Sequence, residues 1–177
     1  MQPTDNPENR HYDQDLAELF VANYGEAVRA ASSLTVSLRR TAYLFPLSGT
    51  ALLALDEAGK EKLDAFRVRY ASLQDILANK LFRTLLALEE EPTLSMLDVL
   101  NAMEKRGILE SYHAWKRLRE LRNAFRHDYA HEEDMKAAAL TEAYRTASVL
   151  LELLVRLRNY AIASVGLDAA RLPATPQ

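Results

Sequence analysis

Helix breakers are scarce in this 177-residue chain: Pro3, Pro7, Pro173 and Pro176 lie near its two ends, only Pro46 and Pro92 fall inside, and Gly occurs five times. Proline removes a backbone donor and glycine weakens a helix, so their scarcity leaves long interior stretches free to be helical. No alternation of the strand type and no repeat of fixed period is present. The expectation is an all-α, antiparallel up-and-down bundle of four to five helices, because short links between long helices force antiparallel neighbours.

The apolar spacing fills in the helices. A first helix is expected from about Asp13 to Leu44, opened by Leu16, Leu19, Phe20, Val21 and Tyr24 and closed by Pro46, followed by a connection over Phe45 to Ala58. A second, about Glu57 to Glu90, carries Leu63, Phe66, Tyr70, Leu73, Leu77, Leu81 and Leu85 at steps of three and four, the period of a buried stripe. Thr93 is placed to cap a third helix through Lys105, with Met96, Leu97, Val99, Leu100 and Met103 inward and Gly107 ending it. A fourth begins near Ser111 and holds Trp115, Leu118, Leu121 and Phe125. A fifth runs from about Glu132 to Val165 with Gly166 as its cap. Residues 1–12 and 167–177 read as flexible tails around one domain at 13–166.

Composition narrows the class. With 49% hydrophobic and 27% charged residues the chain can bury a core. It has no cysteine, so disulfides and thiolate metal sites are excluded and a cytoplasmic setting is expected. The polar amino terminus lacks the apolar run of a secretory signal, and no apolar stretch reaches the roughly 18 residues of a spanning helix. A net charge of -3 and a pI near 5.8 argue against a broadly basic surface that wraps nucleic acid.

Against that acidic background one stretch is locally basic. From Ser111 to His131 the sequence reads SYHAWKRLRELRNAFRHDYAH, with Lys116, Arg117, Arg119, Arg122 and Arg126 against Glu120 and Asp128. A solvated helix face would give the same run. On an ideal helix Leu118, Leu121, Phe125 and Tyr129 share the apolar side, Lys116, Glu120, Asn123 and His127 the opposite one, and Arg122 sits at the boundary. Arg122 and His127 are then about 140° apart, so the helix must end or bend near His127, or a second copy of the chain must complete any site. The residue types suit metal-independent RNA cleavage. A histidine titrating near neutrality can move a proton to or from a ribose hydroxyl or a leaving oxygen, and a guanidinium can stabilise charge on a phosphate. Two proton-transfer groups are normally needed, and a two-fold dimer would bring two histidines together.

Arg122-Asn123-Ala124-Phe125-Arg126-His127-Asp128-Tyr129 resembles the Arg-x4-His-x-Tyr pattern of the HepT-like branch of the HEPN superfamily, including the polar residue directly after the arginine. The similarity spans roughly residues 60–165. An overlapping match from Arg126 to His131 has Glu133 where the tyrosine would stand, so the first register is preferred. The resemblance implies a dimeric ribonuclease toxin paired with a minimal nucleotidyltransferase antitoxin. It implies that Arg122 and His127 are catalytic, with Asn123 and Arg126 in support. Tyr129 corresponds to the tyrosine to which the nucleotidyltransferase transfers AMP, blocking the RNA cleft with bulk and negative charge. The alternative is a non-catalytic partner or substrate-presenting subunit of a nucleotidyltransferase; a helical adaptor without nucleotide chemistry is a further rival.

Other residues read more plainly. His113 and His131 are expected to be surface or capping residues rather than ligands, and His11 lies in the tail. Asp134 with His127 and His131 matches no defensible ligand spacing, so no metal and no cofactor are expected. Trp115 falls beside Leu118 and is expected in the core rather than stacked on a base, and Glu89-Glu90-Glu91 is expected to be a solvated helix end.

Overall fold

The computed structural model describes residues 12–92, 95–125 and 133–176. Among them it is all helical, with no strand. Helix α1 (Gln14–Thr41) starts at Asp13, whose carboxylate accepts from the backbone of Asp15 and Leu16. It ends in a 3-10 turn over Ala42–Leu44, because Phe45 precedes Pro46 and takes an extended conformation. The expected connection holds a short helix α2 (Gly49–Leu53), capped by Ser48. Asp134 accepts the Gly49 N–H at 3.0 Å, and a Cβ on Gly49 would lie 2.3 Å from that carboxylate oxygen. Only glycine lets the two approach.

The long second helix is α3 (Glu57–Ile76), a π turn (Leu77–Leu81) and α4 (Phe82–Leu88) in continuous succession. On an unbroken α-helix Phe82 would stand about 160° from Phe66; absorbing one extra residue in the wide turn brings it to about 60°. Both rings are fully buried. The Lys80 carbonyl in that turn accepts the Thr84 hydroxyl at 2.6 Å, and Asn23 donates to the same hydroxyl oxygen at 3.1 Å.

Helix α5 (Met96–Lys105) begins at Ser95 with a capping box to Asp98, where the sequence suggested Thr93, which lies outside the described residues. Leu97, expected inward, is half exposed, since Val99, Leu100 and Met103 already fill the inner face. Gly107 follows with φ 67°, a conformation that suits glycine. Helix α6 (Tyr112–Ala124) is capped by Ser111, and α7 (Glu133–Tyr160) passes into a second π turn (Ala161–Val165) ended by Gly166 at φ 86°.

Cross-links fix the directions of the helices. Glu26–Lys80, Ser37–Arg69 and Tyr43–Lys62 run oppositely along α1 with its 3-10 turn and the continuous α3–α4 helix, and Asp75–Arg122 with Phe82–Trp115 does the same for that continuous helix and α6. Bundle directions are therefore up and down, as expected. At one end Phe45, Phe66, Tyr70, Phe125 and Tyr144 meet: Phe45 stacks on Tyr144 at 4.3 Å, and Tyr70 meets Phe125 edge-on at 5.6 Å. Aromatic pairs of this kind contribute about 0.5–1.5 kcal/mol beyond their buried area.

Two expectations need correction. The segment after Gly166 is not a loose tail: Leu167 and Leu172 are buried, Arg158 donates to the Leu172 carbonyl at 3.0 Å, and Arg171 pairs with Glu18 at 2.5 Å. Nor is the acidic triplet merely solvated. Glu89 accepts from Arg106 and from the Tyr160 hydroxyl, each at 2.7 Å, and Arg106 also reaches Glu91. Residues 1–11, read as tail, lie outside the described residues, and Tyr12 packs on the core.

Leu172→Ala should lower the unfolding free energy by about 2–5 kcal/mol in urea melts, while Leu97→Ala stays within about 0.5 kcal/mol. Burial pushes the Tyr24 hydroxyl up to about 12, with Arg158 opposing. The folded chain thus keeps a proton that the unfolded chain loses near pH 10, so the contribution is whole below pH 10 and is lost as pH rises through about 12. Tyr24→Phe should flatten that alkaline loss in melts from pH 9 to 12, and be near neutral at pH 7 because the buried hydroxyl has no hydrogen-bond partner among the described residues.

Candidate functional site

The basic stretch that the sequence singled out lies mainly on α6, and its side chains have different fates. Lys116 faces Glu120 at 3.8 Å on the exposed side, and Arg117 crosses to Glu142 of α7 at 2.6 Å. Trp115 is buried, edge-on against Phe82 at 5.3 Å, and Leu118 is buried beside it, as the apolar face required. His113 is exposed next to Tyr112. Arg119 is exposed and makes no ion pair or hydrogen bond among the described residues.

Arg122 turns from the face boundary toward α3. Its Nη2 donates to the Asp75 carboxylate at 2.6 Å, with only 17% of the arginine side chain exposed, and its buried Nε has no partner among the described residues. One step further, Asn123 is exposed, and Phe125 closes the helix with its ring in the aromatic cluster and its carbonyl accepting from Arg67. Phe125 therefore anchors the end of α6 and fixes where Arg122 points. Helix α6 ends at Ala124, ahead of the histidine. Arg126, His127, Asp128, Tyr129 and His131 lie outside the described residues.

Two neighbouring hollows meet at Arg122. An open groove of about 940 Å³ runs along α3, walled by Arg67, Val68, Asp75, Asn79, Lys80 and Phe125. A smaller, half-enclosed cavity of about 160 Å³ lies between α3, α5 and α6, and shares Asp75, Asn79 and Arg122 with the groove. The π turn presents Asn79 and Lys80 here, and Lys80 is tethered to Glu26 at 2.6 Å. Wide turns of this type recur at functional sites.

Sequence reasoning found Arg122 but missed Asp75, Gln74 and the π turn. The available signal was the change from three-and-four spacing to Leu77, Leu81, Leu85, which an unbroken α-helix would let drift around its axis. Among the described residues no cluster of three or more His, Asp or Glu is arranged to hold a metal, and no helix is long and apolar enough to cross a membrane. Set against known protein families, curated proteins and solved structures, the chain matches no family model, no curated protein and no solved structure.

Asp75→Ala leaves a mostly covered guanidinium without its carboxylate and should cost about 1–3 kcal/mol in a urea melt. The double change with Arg122→Leu should cost less than the single change, because no unpaired charge remains.

Proposed function

We propose that this protein is a metal-independent endoribonuclease of the HepT-like HEPN type, acting as a homodimer on RNA. Its partner would be a minimal nucleotidyltransferase antitoxin that silences it by transferring AMP to Tyr129. The observation that carries this reading is the setting of Arg122. A motif arginine projects from the last turn of α6 into the meeting point of two hollows, its guanidinium oriented by Asp75 and one buried donor without a partner among the described residues. A guanidinium held in advance can stabilise charge developing on a phosphate without first reorganising.

In the reaction the ribose 2′ oxygen attacks phosphorus and the 5′ oxygen leaves. His127 takes the 2′ proton while the second copy's His127 supplies one to the leaving oxygen, and Arg122 bears on the charged phosphoryl oxygens. Asn123, exposed beside Arg122, and Arg126 assist in holding the strand. The end of α6 before His127 fits this division of labour, since a single straight helix would point the two groups about 140° apart.

One observation favours the second reading, a non-catalytic partner of a nucleotidyltransferase: the Arg122–Asp75 pair satisfies part of the guanidinium without any substrate. Purified protein and total RNA, incubated with chelator, separate the two. Cleavage should fall at least 100-fold in His127→Ala and in Arg122→Ala, and Arg122→Lys should not restore it, because lysine lacks the planar fork. Absence of cleavage by natural protein whose Tyr129 is bare by mass spectrometry would transfer the assignment to the partner reading.

A further inference from the structure

The half-enclosed cavity beside Arg122 is lined by residues that carry buried donors without a partner among the described residues. Gln74 is 3% exposed, lines the cavity, and its Nε2 has no hydrogen-bond partner among the described residues. A buried amide nitrogen without a partner is destabilising, so a purely structural position would favour an apolar side chain of similar size. The Arg122 Nε is buried and partnerless in the same way, and Arg119 brings a guanidinium with no carboxylate against it. Asn79 adds an exposed amide, and Trp115 forms part of the apolar wall.

Charge decides among ligands. Arg119 and Arg122 against Asp75 leave one net positive charge at the cavity. That balances a single negative charge, whereas a neutral base or sugar would leave it uncompensated. Partnerless N–H groups call for a ligand rich in acceptors, and an oxyanion answers both demands. The cavity opens beside the groove and shares three residues with it, so a strand lying in the groove can drop one backbone group into the cavity.

We propose that Gln74, Arg119 and the Nε of Arg122 form a phosphate pocket that holds one phosphodiester of a single-stranded RNA lying in the α3 groove. The proposal rests on the ribonuclease reading for its substrate. It gives Gln74 and Arg119 a positioning role: they seat one phosphodiester of the strand next to the reacting one, on which Arg122 also bears.

Trp115 is the only tryptophan of the chain and borders the pocket, so its fluorescence reports occupancy directly. Natural protein is titrated with inorganic phosphate at constant ionic strength held by chloride, and separately with a short 2′-deoxy oligonucleotide that cannot be cleaved. Both should give a saturable change, the oligonucleotide at lower concentration. Arg119→Ala, Gln74→Leu and Gln74→Glu should weaken both at least tenfold, while Arg117→Ala, on the same helix but paired with Glu142, should change neither by more than about twofold. Gln74→Leu should melt no lower than natural protein, which separates lost binding from lost folding. In the cleavage assay Gln74→Leu should raise KM at least tenfold and leave kcat within about threefold.

Phosphate without oligonucleotide binding would overturn the RNA assignment and leave a pocket for small phosphates. No saturable response to either probe, or one unchanged in all three pocket variants, would overturn the pocket and leave a cavity holding only water. Cleavage of RNA together with an unaltered KM in Gln74→Leu would sink the pocket while the ribonuclease reading stands. Binding that follows the variants, in a protein that cleaves nothing, would keep the pocket and remove the ribonuclease.

Discussion

The contact on which the site depends is made by rings rather than charges. Phe45 from the turn after α1, Phe66 and Tyr70 from α3, Phe125 from the end of α6 and Tyr144 from α7 close on one another at a single end of the bundle. Burying Phe66, Tyr70 and Phe125 supplies roughly 1.5–3 kcal/mol each, far more than a surface ion pair returns. Phe125 is the member that matters for chemistry. With its ring fixed and its carbonyl taken by Arg67, the last turn of α6 has one orientation, and Arg122 within that turn is left facing Asp75.

Much of the bundle could be read from the residues because it follows from spacing. The stripe from Leu63 to Leu85 is buried throughout, Trp115 and Leu118 point inward, Ser111 caps α6, and Gly107 and Gly166 take the positive φ expected after a helix. What spacing cannot report is the partner across a gap of sequence. Glu89, Glu91 and Arg106 look like ordinary surface charges in a one-dimensional reading, yet they tie the end of α4 to α5 and to Tyr160 of α7. Leu167 and Leu172 stand among polar and proline residues, so no period marked them as buried. The short α2 is set by contacts from α7, through Asp134 and Thr141, that no local pattern announces.

The same limit applied to the site. The basic run was visible, but its meaning depended on which cations are already spent. Lys116 and Arg117 are paired with neighbours, so the apparent patch on α6 narrows to Arg119 and a half-committed Arg122. An acidic protein can therefore offer an anion a small, directed positive region without a broadly basic surface, and that region sits in a hollow where field is less screened by solvent. Asp75 and Gln74 came from a helix face that reads in sequence as the stripe's polar flank.

The π turn at Leu77–Leu81 has the character of an insertion that the bundle has absorbed. Losing one residue there would let the helix close into unbroken α-form while Phe82, Leu85 and Leu86 kept their facing, so the core is nearly indifferent to the extra residue. The wall of the groove is not, because Asn79 and Lys80 stand out where the wide turn pushes them. In relatives of this chain, length variation at that point would reshape the hollow and spare the scaffold, giving the fold a place where its binding surface can change independently of its stability.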